Sequence, residues 1–281
     1  MKNLTPSLNP SPQGRETIHN MKLHRIWAVL LRYNYLFKHS LDRQVDAFYW
    51  PTVDLVLWGL TSTYIASQGP NPHLAVLMVV SGLVLWIILW RGQYEFTVNI
   101  LEDVWNKNLI NMFVSPLKLT EWIMAFSLLG LIKAIVSTSF AGLIAFLLYK
   151  VKIFAHGFAL LPFLFLLLMT GWWVGLLVGG LIMRFGTKVQ NFAWSMVFII
   201  APFSAIYYPL SALPVWAQKI AIVVPSSYVF EGARLAIISG VLDWNKVLIG
   251  LALNLVYWFL ALRFFKKSFK KVLERGLVKF Q

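Results

Sequence analysis

The chain has 281 residues, of which 59% are apolar, 16% aromatic and only 13% charged, whereas a soluble domain carries about 25% charged residues. Its 25 Lys and Arg outnumber 11 Asp and Glu. In a membrane protein that bias belongs first to loops facing anionic headgroups, ahead of nucleic-acid binding. No cysteine is present, which excludes a disulfide framework and a thiolate metal site.

Residues 1–21 are rich in Pro, Ser and Asn without an apolar run. They read as a disordered cytoplasmic lead, with Met21 a candidate alternative start. From Lys22 to His39, Leu23, Ile26, Trp27, Leu30 and Leu31 recur at helical spacing, and Lys22, Arg25, Arg32 and His39 fall mostly elsewhere. Such a basic, aromatic, amphipathic helix is suited to the headgroup plane.

A helix needs about 20 apolar residues to cross a bilayer core, and six windows qualify. They lie at about 47–65, 74–97, 122–149, 158–183, 192–208 and 244–265. The SQGPNP turn at 67–72 separates the first two. If both termini are cytoplasmic, the inner segments hold 19 basic residues and the outer segments 5, with Lys133 inside the membrane. Lys and Arg in short loops stay inside, so this orientation is expected in a cell membrane. Four charges need separate notice because charge inside hydrocarbon is costly. Asp54 and Lys133 fall within spans and are placed to pair with one another or to meet cargo, and Arg91 and Glu95 form a candidate local pair.

Two segments depart from a plain six-span pattern. From Asn99 to Phe113, apolar Ile100, Val104, Leu109, Met112 and Phe113 alternate with Glu102, Asp103, Lys107 and Asn111 until Pro116, which predicts one amphipathic cytoplasmic helix that docks on another subunit or on the membrane surface. Between Pro209 and Gly240 the chain is too apolar for a loop, yet Pro209, Pro214 and Pro225 break it. Two short helices that enter the outer leaflet and return are expected there. Glu231 and Arg234, three apart, are placed to pair on one face.

The order of these elements resembles the ABC-2-type exporter permeases: an interfacial basic helix, two spans, a cytoplasmic helix ending in Ser115, Pro116 and Leu117 before Glu121, and three further spans. An outer step with Leu213, Pro214 and Trp216 follows, then Pro225 with Glu231 and Arg234 before the last span. The fold this implies is an all-α integral membrane protein with six transmembrane helices, an N-terminal interfacial helix and a broken re-entrant region, over residues 22–281. The resemblance further implies a half-transporter that joins a second copy or a sister permease and two ATPase subunits, which would hold ATP and Mg. Glu102, Asp103, Trp105, Leu109, Phe113, Ser115 and Pro116 would then belong to the ATPase-coupling helix. Pro209, Leu213, Pro214, Trp216, Pro225, Glu231 and Arg234 would form the outer gate. Permeases of this kind export lipid-linked polysaccharides, hydrophobic drugs, lipids and peptides, and the resemblance does not choose among them.

Nothing in the residues points to an enzyme. Gly186, Thr187 and Lys188 lack P-loop spacing, and the five histidines, at 19, 24, 39, 73 and 156, are scattered without a partner at metal-ligand spacing. No metal, cofactor or nucleic-acid partner is expected for this chain. Two readings from other classes stay open: an ion-coupled secondary carrier, for which Asp54 is thin support, and a membrane assembly protein.

Overall fold

A computed structural model describes residues 21–155 and 157–275, apart from the side chains of residues 110, 113, 192, 193 and 275. Most of the expected lead, 1–20, and the last six residues lie outside it. Helices α1 (Leu23–His39) and α2 (Leu41–Gln44) lead through a π-helical turn at Val45–Tyr49 into α3 (Trp50–Ala66). Then come α4 (Pro72–Trp105), α5 (Leu109–Val114), α6 (Leu119–Tyr149) and α7 (Gly157–Phe185). The chain closes with α8 (Gln190–Ile200), α9 (Val215–Ala221), α10 (Pro225–Ser239) and α11 (Trp244–Arg275).

Local chemistry sets these boundaries. Pro72 opens α4, where a missing N–H costs nothing and a fixed φ helps. Glu121 Oε2, in the first turn of α6, accepts the Lys118 N–H at 2.9 Å. Gly240, at a φ of 69°, closes α10 in the left-handed conformation that glycine adopts without strain.

Four helices are long and apolar enough to cross a membrane, at Pro72–Trp105, Leu119–Tyr149, Gly157–Val189 and Trp244–Glu274, and the bent pair α9–α10 brings the number to five if it is one broken span. Two sequence-expected spans are shorter than a full crossing helix. Helix α3 has 17 residues, and the fifth window forms α8 and a 3-10 turn at Ala201–Phe203, because Pro202 interrupts the α-helical hydrogen bonding.

Helices α4 and α7 form the centre. Of their most apolar stretches 61% and 67% is buried, against 28% in α6 and 22% in α11, whose outer faces are left for surroundings as apolar as they are. Close approach makes this centre possible: a Cβ added at Gly171 of α7 would lie 2.3 Å from the Leu89 carbonyl oxygen and 2.9 Å from the Gly92 Cα of α4. Small residues at such crossings let backbones pack where the hydrophobic effect between helices is absent.

Helix α1 divides its apolar residues between two surfaces. Ile26, Val29 and Tyr33 are buried against the bundle, whereas Leu23 and Trp27 face outward and are 80% and 61% exposed. Arg25 of α1 reaches Glu121 at the start of α6, and Phe269 near the end of α11 lies 6.4 Å, ring to ring, from Trp122. Both described chain ends therefore sit at one end of the bundle, here called the α1 end.

The second span was expected to stop near Thr97 and to be followed by a separate helix from Asn99 to Phe113. Instead α4 runs unbroken to Trp105, and the chain turns at 106–108, where Lys107 has a φ of 53°. Buried Ile100, Leu101 and Val104 continue the core-facing side of α4 past the apolar window, so hydropathy alone marked its end too early.

Candidate functional site

Helix α4 presents Arg91, Glu95, Asn99 and Asp103 at four-residue intervals, which align them on one face. All four are at most 1% exposed. Arg91 donates to Asp46 Oδ2 at 2.9 Å and to the Asp46 carbonyl oxygen. The Lys133 ammonium donates to Glu95 Oε2 at 2.8 Å, and Asn99 Nδ2 donates to the same oxygen at 3.2 Å. Arg43 donates to Asn99 Oδ1 at 3.0 Å and pairs with Glu102. Asp103 accepts from Arg32 Nη2 and from the Tyr33 hydroxyl, both at 2.5 Å, and from Asn108 Nδ2 at 3.0 Å. Burial, with the Asp103 charge beside it, pushes the Tyr33 hydroxyl well above its ordinary pKa, so it remains a neutral donor. Glu121 accepts the Lys22 N–H at 2.9 Å, and Arg25 lies 3.6 Å from its carboxylate while also donating to the Pro116 carbonyl oxygen. Charge pairs thus tie α1 and α2 to α4 and α6.

Two expected pairings give way to these. Lys133 meets Glu95 instead of Asp54, and Arg91 meets Asp46 instead of Glu95. In both cases the chosen partner comes from a neighbouring element at contact distance, which an order of residues along one helix does not reveal.

The segment expected to couple to an ATPase is therefore the lower end of α4, a turn and α5. Within it Asp103 is fully buried and Leu109 nearly so, while Glu102 is held by Arg43. Ser115 Oγ donates to the Met112 carbonyl oxygen, and exposed Pro116 follows. Trp105 and Val114 project outward, 47% and 82% exposed. The Phe113 side chain lies outside the described residues. Most of the apolar face assigned to docking is thus consumed by the protein's own core, and the outward surface is concentrated at Trp105, the turn and the end of α5.

At the opposite end, α9 and α10 meet at a bend of 96°. The Glu231–Arg234 pair forms at 3.0 Å. Arg234 also donates to the Ala205 and Tyr208 carbonyl oxygens, and Glu231 accepts the Leu210 N–H. Pro225 opens α10 and is buried; Pro209, Pro214 and Trp216 are exposed and Leu213 is half-buried. The Trp216 ring lies 6.1 Å from Phe203. Tyr257, thirteen residues into α11, donates to the Val223 carbonyl oxygen at 2.8 Å, so the α9–α10 vertex reaches well down the bundle. Gly82 of α4 accepts the chain from beneath: a Cβ there would lie 2.0 Å from the Ile206 carbonyl oxygen.

Between α3, α4 and α8 lies a cavity of about 530 Å³ lined by Trp50, Trp58, Trp86, Trp90, Phe198 and Tyr207 among others. Trp58 stacks on Tyr207 at 5.5 Å, and Trp90 lies 5.2 Å from Phe198. Asp54 lines the same cavity, is exposed, and has no ion-pair or hydrogen-bond partner among the described residues.

The ABC-2 type transporter model matches residues 29–238, from within α1 to the end of α10. The chain belongs to the ABC-2 type transporter family. No curated protein matches it at a significant level. The ABC-2 assignment makes it the membrane component of a transport system, and with the apolar helices it makes the chain a multi-pass membrane protein. Among the described residues no cluster of His, Asp and Glu is arranged to hold a metal ion. In this ABC-2 chain, residue order does not single out Arg32, Tyr33, Arg43 and Asp46 as the partners of the α4 ladder. The ladder itself was readable, since four polar residues spaced by four within an apolar helix mark a face that needs partners.

Proposed function

We propose that this chain is the permease half of an ATP-driven exporter that carries an amphipathic, lipid-linked or hydrophobic cargo out of the cytoplasm. It works with a second permease copy or a sister permease, and ATP and Mg reside in a separate ATPase subunit. The family match carries the reading. Six traverses, by α3, α4, α6, α7, α8 and α11, agree with both described chain ends lying at one end of the bundle. The excess of basic residues at that end favours the cytoplasm of a cell membrane. Helix α1, with Leu23 and Trp27 turned outward, rests in the headgroup plane against lipid, and the α9–α10 pair enters the outer leaflet and returns as the external gate.

In this reading the ATPase engages Trp105, the turn at 106–108 and the end of α5. A stroke delivered there passes through the Asp103 and Glu102 pairs into α1 and α2 and along α4. Interface anchors typically cost 2 kcal/mol or more when truncated, roughly thirtyfold in affinity. Trp105→Ala, combined with Phe113→Ala, should reduce co-purification of the ATPase by about that factor and leave membrane insertion intact. Normal ATPase binding and normal export by the double variant would remove the docking assignment, and transport collapsed by a protonophore but indifferent to vanadate would favour an ion-coupled carrier.

A further inference from the structure

We infer that the cavity between α3, α4 and α8 is a binding site for an organic cation with apolar groups, in which the Asp54 carboxylate and the surrounding Trp and Tyr rings together replace water. The inference rests on the exporter reading only for the direction in which such a molecule moves; binding itself needs no ATPase.

Asp54 is four residues into α3, roughly 6 Å along its axis at 1.5 Å per residue, on a helix whose other outward residues include Leu57, Trp58 and Leu60. A carboxylate in such a position is costly and is retained where something neutralises it. Asp46, the other carboxylate that lines the cavity, is already paired with Arg91. Among the described residues the cavity therefore carries one uncompensated negative charge.

Its walls answer the same charge. Indole and phenol faces carry negative potential and attract cations within about 6 Å, most strongly when water is excluded. Trp58 and Tyr207 stack beside the carboxylate, and Trp90 with Phe198 extends the aromatic surface along α4. A volume of about 530 Å³ suits a small drug-sized molecule. Aromatic faces also stack on sugars, but an uncharged sugar would leave Asp54 without a counter-charge, and an anionic cargo would add repulsion. The carboxylate and the rings favour one class together.

The test uses the full chain in lipid nanodiscs, with empty nanodiscs as reference. Tetraphenylphosphonium and tetraphenylborate have the same shape and opposite charge, and quenching of tryptophan fluorescence reads binding of each. Tetraphenylphosphonium should bind saturably above the empty-disc background and tetraphenylborate should not. Asp54→Asn should weaken binding of the cation by about tenfold, as expected for loss of one partly desolvated charge contact, Asp54→Glu should retain it, and Trp58→Leu should weaken it by a smaller factor. Equal binding of the two ions, an Asp54→Asn variant with unchanged cation affinity, or preferential saturable binding of an uncharged alkyl glucoside would overturn the assignment. So would a change of oligomeric state in Asp54→Asn with the cation affinity intact, since the carboxylate would then serve contact between subunits. Failure to bind an ATPase would leave these results untouched and count against the exporter reading alone.

Discussion

At the α1 end the buried charges of α4 find partners on other elements, whereas at the α9–α10 end the Glu231–Arg234 pair lies within one helix and its outward contacts run to backbone groups of the 205–210 stretch. Cross-element ion pairs in a dry interior resist separation, because parting them strands a charge. Hydrogen bonds to a loop backbone are individually modest, about 1 kcal/mol each. The contrast teaches how one bundle can be stiff where force would enter and compliant where a path would open.

The largest expected effect comes from stranding a charge at the stiff end. Lys133→Ala leaves the buried Glu95 carboxylate without its ion-pair partner, with the Asn99 amide still donating to it, and loss of one partner of a buried pair costs about 3–5 kcal/mol. Thermal unfolding of the purified protein should show a large drop that the double variant Lys133→Met, Glu95→Leu largely restores. A drop that persists in the double variant would mean that packing, not charge, holds this region.

Next in size is the centre. Gly171→Leu forces a side chain into the Leu89 carbonyl and the Gly92 backbone, and overpacking costs typically 1–3 kcal/mol. It should lower stability without altering the charge network, read as an unfolding shift that is additive with a variant at Arg25. Additivity fails if the α4–α7 contact and the α1 clamp move as one unit.

At the compliant end, Arg234→Ala removes donors to Ala205, Tyr208 and Glu231. The expected loss is about 1–2 kcal/mol, with more rapid labelling of a cysteine placed at Gln218 by an impermeant thiol reagent added outside. Equal or greater destabilisation than Lys133→Ala would erase the distinction between the two ends. The smallest effect is Tyr33→Phe, which deletes one hydrogen bond to Asp103 but leaves Arg32 and Asn108 in place. It should cost about 1 kcal/mol, visible as a small shift in unfolding.

Much of this was legible in the sequence. The long apolar windows gave α4, α6, α7 and α11, and the prolines at 209, 214 and 225 located the broken region. Three-residue spacing of Glu231 and Arg234 foretold their pair. What escaped were partners across the fold. Hydropathy stops at the first polar residues, so the continuation of α4 from Asn99 to Trp105, largely buried as far as Val104, was assigned to a separate helix. Lys133 was matched to Asp54, whereas the Glu95 carboxylate is the one at contact distance. The cavity beside Asp54 was invisible for the same reason: its Trp and Tyr residues come from α3, α4 and the stretch after α8, and only the fold brings them to one place.

The Gly92–Gly171 contact also sets a mechanical ratio. Helix α4 is one unbroken rod of 34 residues, and its tightest crossing with α7 is not at its middle. From Gly92 to Trp105 is about 20 Å and from Gly92 to Pro72 about 30 Å, at 1.5 Å per residue. If α7 stays fixed, the crossing is a fulcrum, and a tilt of α4 carries its Pro72 end about half as far again as its Trp105 end and in the opposite direction. Gly82, against the Ile206 carbonyl, lies on the long arm but only about 15 Å from Gly92, so on the same assumption a push at the turn would reach the 205–210 stretch that Arg234 holds reversed and reduced to about three-quarters.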